Sequence, residues 1–186
     1  MPKKYIKDYG IERQLAPGGK MRAVAVYRGD WFRFSAAPES LKKTRILYLT
    51  LSIASAVLIV FLLCTTNWFE NVGYVILPAA LLSIPVLYLC LCTWRIWTAV
   101  GPVTREHQEK AQVRMSPTSV FGMALSAVCT AGCVLRQCLT GKTDARKLLF
   151  TVLCAALFGI FLLAFRLRGR LTMEKTEPPK PEANDA

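Results

Sequence analysis

Residues 46–66 read ILYLTLSIASAVLIVFLLCTT, twenty-one positions without Asp, Glu, Lys, Arg or His. At about 1.5 Å rise per residue this makes a helix of roughly 30 Å, the thickness of a bilayer's hydrocarbon core. A helix of that length in a soluble bundle carries a polar face. Here the polar groups are only small hydroxyls, one tyrosine and one thiol. Three further blocks, 73–94, 117–135 and 148–165, are equally free of those five residue types. Four such blocks in series predict an all-α membrane protein, with four transmembrane helices in two antiparallel hairpins.

The whole composition agrees. The 186 residues are 53% hydrophobic yet carry a net charge of +12. A soluble nucleic-acid binder carries the charge but not this apolar content, and a soluble globular domain intersperses the two. In this chain they are segregated. The first 45 residues hold 11 Lys and Arg, segment 64–72 none, 95–115 four, 136–147 four and 166–186 five. With four spans the first, third and last of these segments share one side, which then collects twenty basic residues against four. The positive-inside rule predicts a cell membrane protein with both termini in the cytoplasm. Trp68, Phe69 and Tyr74 then fall at the outer interface, and Trp94 and Trp97 at the inner one. The polar start lacks the pattern of a cleavable signal peptide, and neither end carries a lipidation motif. In architecture alone the chain resembles the many small four-helix proteins of bacterial inner membranes, a likeness that implies no functional residue.

Within the spans, small residues at a spacing of four predict close helix packing, because lipid tails give no hydrophobic drive for association. Gly122, Ser126 and Thr130 are expected to face Thr151, Ala155 and Gly159. Ser116-Pro117 reads as the cap and first position of the third helix. Pro78 and Pro85 predict a bend in the second.

Residues 1–45 form the cytoplasmic N-terminal segment. Two strand-like runs flank Gly29-Asp30, which suits a II′ turn and predicts a β-hairpin over about 22–35. That register pairs Tyr27 with Phe32 and Ala25 with Phe34, giving one apolar face. A lone hairpin is marginal in water, so the face needs a cover: the membrane surface, the cytoplasmic loop or a partner. Tyr27, Trp31, Phe32 and Phe34 are the expected partner or membrane-surface contacts. Residues 166–186, ending in a Pro-rich tail, read as disordered.

Chemistry is sparse. His107 is the single histidine, and with Glu106 and Glu109 it reads as a solvated helical face rather than a metal site. Charged side chains inside spans mark ion paths, and the four blocks hold none. Seven cysteines, nearly all in or beside the spans, read as small buried hydrophobes, with Cys64 and Cys138 near the outer face. Lys42, Lys43, Arg45, Arg95, Arg166, Arg168 and Arg170 border the span ends and are the expected contacts to an anionic inner leaflet. The expectation is a non-enzymatic accessory or assembly subunit that docks a membrane-protein partner or a second copy through its cytoplasmic face. It uses no cofactor, no metal and no nucleic acid. The alternative is a small oligomeric channel or transporter.

Overall fold

A computed structural model of the chain describes residues 3–15, 21–65, 73–99, 101–141 and 144–178. A 3-10 turn, Lys3–Asp8, leads into strands β1 (Tyr9–Leu15), β2 (Met21–Tyr27) and β3 (Trp31–Phe34). Helix α1 (Pro38–Thr65) follows, then α2 (Gly73–Leu81) and α3 (Ser83–Thr98). A short strand β4 (Val103–Thr104), helix α4 (Arg105–Gln108) and a wide π turn precede α5 (Met115–Thr140). Helix α6 (Ala145–Leu167) and strand β5 (Met173–Thr176) complete the order. The molecule is mostly helical, and four helical stretches are long and apolar enough to cross a membrane.

Each helix boundary has a local cause. Pro38 opens α1, where a missing N–H costs nothing and φ is already helical. The break between α2 and α3 falls at Leu82, three residues before Pro85, whose ring crowds the carbonyl four positions back and leaves it unpaired. The Ser83 hydroxyl donates to the Ala80 carbonyl at 2.7 Å and helps the backbone through the bend. Gly141 ends α5 in the left-handed region at φ 61°, its N–H donating to the Gln137 carbonyl. Asp144 caps α6 by accepting from the Arg146 N–H. Ser116 is not the predicted cap. Helix runs through it from Arg105 almost unbroken, and its hydroxyl meets the Arg168 guanidinium.

Helix α1 packs against α3 and α6, while α5 packs against α6, α2 and α3. The buried stripe of α1 runs Thr44, Tyr48, Leu51, Ser55, Ile59 and Leu62, steps of three and four that keep to one face. Tyr48, fully buried, donates to the Ala164 carbonyl at 2.8 Å and ties α1 to α6. On α6 the inward stripe is Phe150, Cys154, Leu157, Phe161 and Ala164. At Gly122 and Gly159 this differs from the expected small-residue pairing, while Thr151 of α6 accepts from the Gln137 amide of α5 at 3.1 Å. Gly122 and Ser126 are buried as expected, but Gly122 receives the Phe161 ring, which would lie 2.6 Å from an added Cβ. Nothing lies within 4 Å of a Cβ at Gly159. Ala155 is exposed, and it lines a groove of about 950 Å³ together with Thr130. Large α6 side chains fill the space that the small α5 residues leave, so only one of the two helices needs to be small there.

The predicted hairpin over 22–35 is replaced by two separate sheets. Strand β2 pairs with β1, from Tyr9 opposite Tyr27 to Leu15 opposite Met21. Strand β3 is the middle of a three-stranded antiparallel sheet, β4-β3-β5. A II′ turn needs positive φ at Gly29, and among the described glycines only Gly101 and Gly141 have it. Gly29 serves crowding instead: a Cβ there would sit 2.6 Å from the Tyr27 hydroxyl and 2.9 Å from Asp8. The Arg28 N–H is already taken by the Asp8 carbonyl at 2.8 Å, and the Arg28 guanidinium by Glu12. The predicted disordered tail is likewise corrected between Leu171 and Thr176. Leu171 is buried in the helical core, and β5 supplies the outer edge that β3 lacked.

Candidate functional site

The starts of α1 and α5 and the ends of α3 and α6 meet at one end of the bundle. There the described parts of the N-terminal segment, Ala99, residues 101–114 and the C-terminal strand build a single cap. Phe32 opposes Val103 across β3–β4 and Lys175 across β3–β5, and Phe34 opposes Met173. Phe32, 8% exposed, forms a small core with Ala99 and Val103, onto which Phe34 and Met173 pack. Lys175 pairs with Asp30 at 2.8 Å, and Ser35 hydrogen-bonds Thr172 through both backbone and side chain.

Of the aromatic contacts expected to reach outward, Phe32 and Phe34 are therefore used inside the molecule. The cover for the apolar face is Ala99 and Val103 together with the C-terminal strand. Tyr27 donates to the Asp30 carbonyl at 2.9 Å and accepts from the Arg105 N–H at 3.0 Å. Its ring stands edge-on to both Tyr9 and Trp31. Burial pushes the Tyr27 phenol above its ordinary pKa, opposed by the Arg105 N–H. Trp31 is half-buried.

Glu106, Glu109 and His107 of the loop each have a neighbour of their own. Glu106 pairs with Lys110 one turn on. Glu109 accepts from the Tyr5 hydroxyl at 2.8 Å, across a separation of 104 residues. Burial first, and then this bond to a carboxylate, push the Tyr5 phenol upward. His107 Nε2 lies 2.8 Å from the Arg95 carbonyl. A carbonyl only accepts, so Nε2 carries the proton and the ring caps the end of α3.

All seven predicted lipid-facing cations lie at this capped end. Lys42, Lys43, Arg166, Arg168 and Arg170 are exposed, and Arg45 and Arg95 are half-buried. Arg168 stacks on Phe165, and the Arg45 guanidinium donates to the Ala99 carbonyl while lying over the Phe34 ring. Outside the cap, Cys129 and Cys133 of α5 and Cys154 of α6 are buried free thiols. Among the described residues no three His, Cys, Asp or Glu side chains are disposed to hold a metal ion. Cys64 and Cys138 are exposed free thiols.

No family model, curated protein or solved structure matches this chain. The functional reading therefore rests on the geometry.

Sequence reasoning missed one feature of that geometry. Beyond Tyr27, which meets Arg105 and Trp31, the β1–β2 hairpin packs mainly on itself and the preceding turn. Ile11 is 80% exposed and Met21 69%. Its signal is the partial alternation of Tyr9, Ile11 and Leu15, which is short and broken at Arg13. The expected interface residues Trp68 and Phe69 lie outside the described residues, whereas Tyr74, Trp94 and Trp97 are exposed on the helical surface.

Proposed function

We propose that the chain is a multi-pass integral membrane protein, its four spans arranged as two antiparallel hairpins with both termini in the cytoplasm. It acts as a non-enzymatic accessory or assembly subunit that docks a protein partner on the cap. The membrane reading is supported by an inverted distribution of polarity. Ile53, Val60, Phe61, Leu87, Leu91 and Trp94 are exposed on the helices, while Ser52, Ser55, Ser119 and Ser126 are buried between them. Lipid on the outside and hydrogen-bonded hydroxyls on the inside account for that pattern. The twenty basic residues of the capped side support its placement against an anionic inner leaflet.

The single observation that carries the docking reading is the β1–β2 hairpin. Two strands with open edges and exposed Ile11 and Met21 are marginal alone, and an added strand or an apolar partner surface stabilises them. Substituting Ile11→Asp and Met21→Asp together is expected to remove the proteins that co-purify with the full chain in mild detergent, at unchanged expression. Partners retained in full sink the docking reading. Orientation is tested separately, since Cys64 and Cys138 are exposed near the far end. A membrane-impermeant maleimide is expected to label them from outside intact cells, and labelling only after lysis reverses the topology.

The α2–α3 break at Leu82 favours a second reading, a small oligomeric channel or transporter bent around its path. Solute flux from liposomes loaded with the purified protein decides it, and a tight bilayer removes it.

A further inference from the structure

Two clefts meet at Trp97 in the groove between α1 and α3. The one nearer the cap, about 430 Å³, is lined by Pro38, Leu41, Lys42, Arg45 and Trp97. The deeper one, about 400 Å³, is lined by Leu49, Ser52, Cys90, Thr93, Trp94 and Trp97. Lys42 and Arg45 are three apart, so they share one face of α1. Among the described residues no carboxylate pairs with either of them. The Arg45 guanidinium is held in place by the Ala99 carbonyl and the Phe34 ring, yet its buried Nε has no hydrogen-bond partner.

The deeper cleft carries an independent anomaly. Ser55, Thr65, Ser119 and Ser126 are buried hydroxyls, and each donates to a carbonyl of its own helix. Thr93, only 2% exposed, does not: its hydroxyl is buried without a partner. A buried unsatisfied hydroxyl is costly and rare, so this one points to a ligand. Thr93 lies four residues, about 6 Å, further into the bundle than Trp97. From the cap inward the groove thus carries two cations, an interfacial indole, the buried unpartnered hydroxyl of Thr93 and the apolar side chains of Leu49 and Trp94.

We propose that this groove binds one anionic glycerophospholipid. Lys42 and Arg45 hold the phosphate, Trp97 stands at the headgroup boundary, and Thr93 donates to an ester carbonyl. One acyl chain lies along Leu49 and Trp94. The inference rests on the membrane reading above, and the two fail separately. If the protein is released from membranes by alkaline carbonate, the membrane reading is lost. If it stays embedded without lipid selectivity, only this inference is lost.

The test uses the full chain in detergent, titrated with phosphatidylglycerol and read by native mass spectrometry. One lipid is expected to bind per protein, in preference to phosphatidylcholine. Lys42→Gln with Arg45→Gln is expected to weaken it about tenfold, and Thr93→Val about threefold. Arg22→Gln with Arg33→Gln, two exposed cations on the cap strands, is expected to leave it unchanged. Equal binding of the two lipids overturns the proposal, as does an equal loss in the Arg22 and Arg33 variant. Displacement by water-soluble glycerol phosphate at the same concentration overturns it in favour of a plain phosphate site. Should the Lys42 and Arg45 variant fail to fold, the near-isosteric Thr93→Val carries the same decision. Brominated-chain phosphatidylglycerol on the unaltered protein adds a second reading, with quenching of tryptophan fluorescence expected to saturate at one lipid.

Discussion

The helical body and the cap satisfy their polar groups by different routes. In the body, Ser55, Thr65, Ser119 and Ser126 bond carbonyls three or four residues back in the same helix. In the cap, Tyr5 reaches Glu109, Ser35 reaches Thr172 and Tyr27 meets Arg105, separations of 104, 137 and 78 residues. A helix in an apolar solvent closes its own backbone bonds, so each element is complete before it meets another. A strand has no internal partner, so the cap exists only once three distant segments have arrived. The body is therefore expected to tolerate loss of the cap, while the cap depends on the body to bring its parts together.

The largest effect is expected at the junction of the three cap segments. Phe32→Asp removes a buried ring and introduces a charge between Ala99 and Val103, a cost of about 4 kcal/mol. Limited proteolysis is expected to cut before residue 38 and after residue 170, with helical circular dichroism nearly unchanged. Parallel loss of both signals would show that the two regions fold as one unit and erase the contrast. Within the body, Gly122→Val drives side-chain atoms into the Phe161 ring and is expected to cost about 2 kcal/mol by overpacking. Thermal unfolding in detergent reads this, and adding Phe161→Leu is expected to recover part of the loss with the cap unaffected.

The smallest effect is a pH dependence confined to the cap. The Tyr5 and Tyr27 phenols are both raised, burial being the first cause in each. The folded cap thus holds these protons more tightly than the unfolded chain. The stabilisation is full below the ordinary tyrosine value of about 10 and is lost as pH rises through the raised folded values. Hydrogen exchange of β3 and β4 amides is expected to accelerate over that range, and Tyr5→Phe is expected to blunt the change. Equal acceleration in α5 would place the transition in the whole molecule.

Legibility followed the same division. The blocks at 46–66, 73–94, 117–135 and 148–165 fall inside the helices Pro38–Thr65, Gly73–Thr98, Arg105–Thr140 and Ala145–Arg170, but for Thr66, which lies outside the described residues. The break beside Pro85 follows from a missing N–H. The cap was misread at its turn: Gly29 has two uses, left-handed backbone or close approach, and a sequence does not distinguish them. The tail was misread because Pro-rich composition after residue 177 hid the anchors Leu171 and Met173. Of the groove between α1 and α3, the sequence showed Lys42 and Arg45 but not the unpartnered Thr93, because a threonine's partner is a matter of geometry.

By itself the sequence determined that there are four long apolar helical stretches, where their uncharged centres fall, and the segregation of basic charge. Those properties depend on each residue's own transfer energy and backbone preference, which neighbours in the chain suffice to express. Only the tertiary structure decided which strand pairs with which, that Phe32 and Phe34 face inward, and where small residues meet large ones. Strand pairing and side-chain packing are satisfied by groups distant in the chain, and local sequence does not specify which distant group arrives.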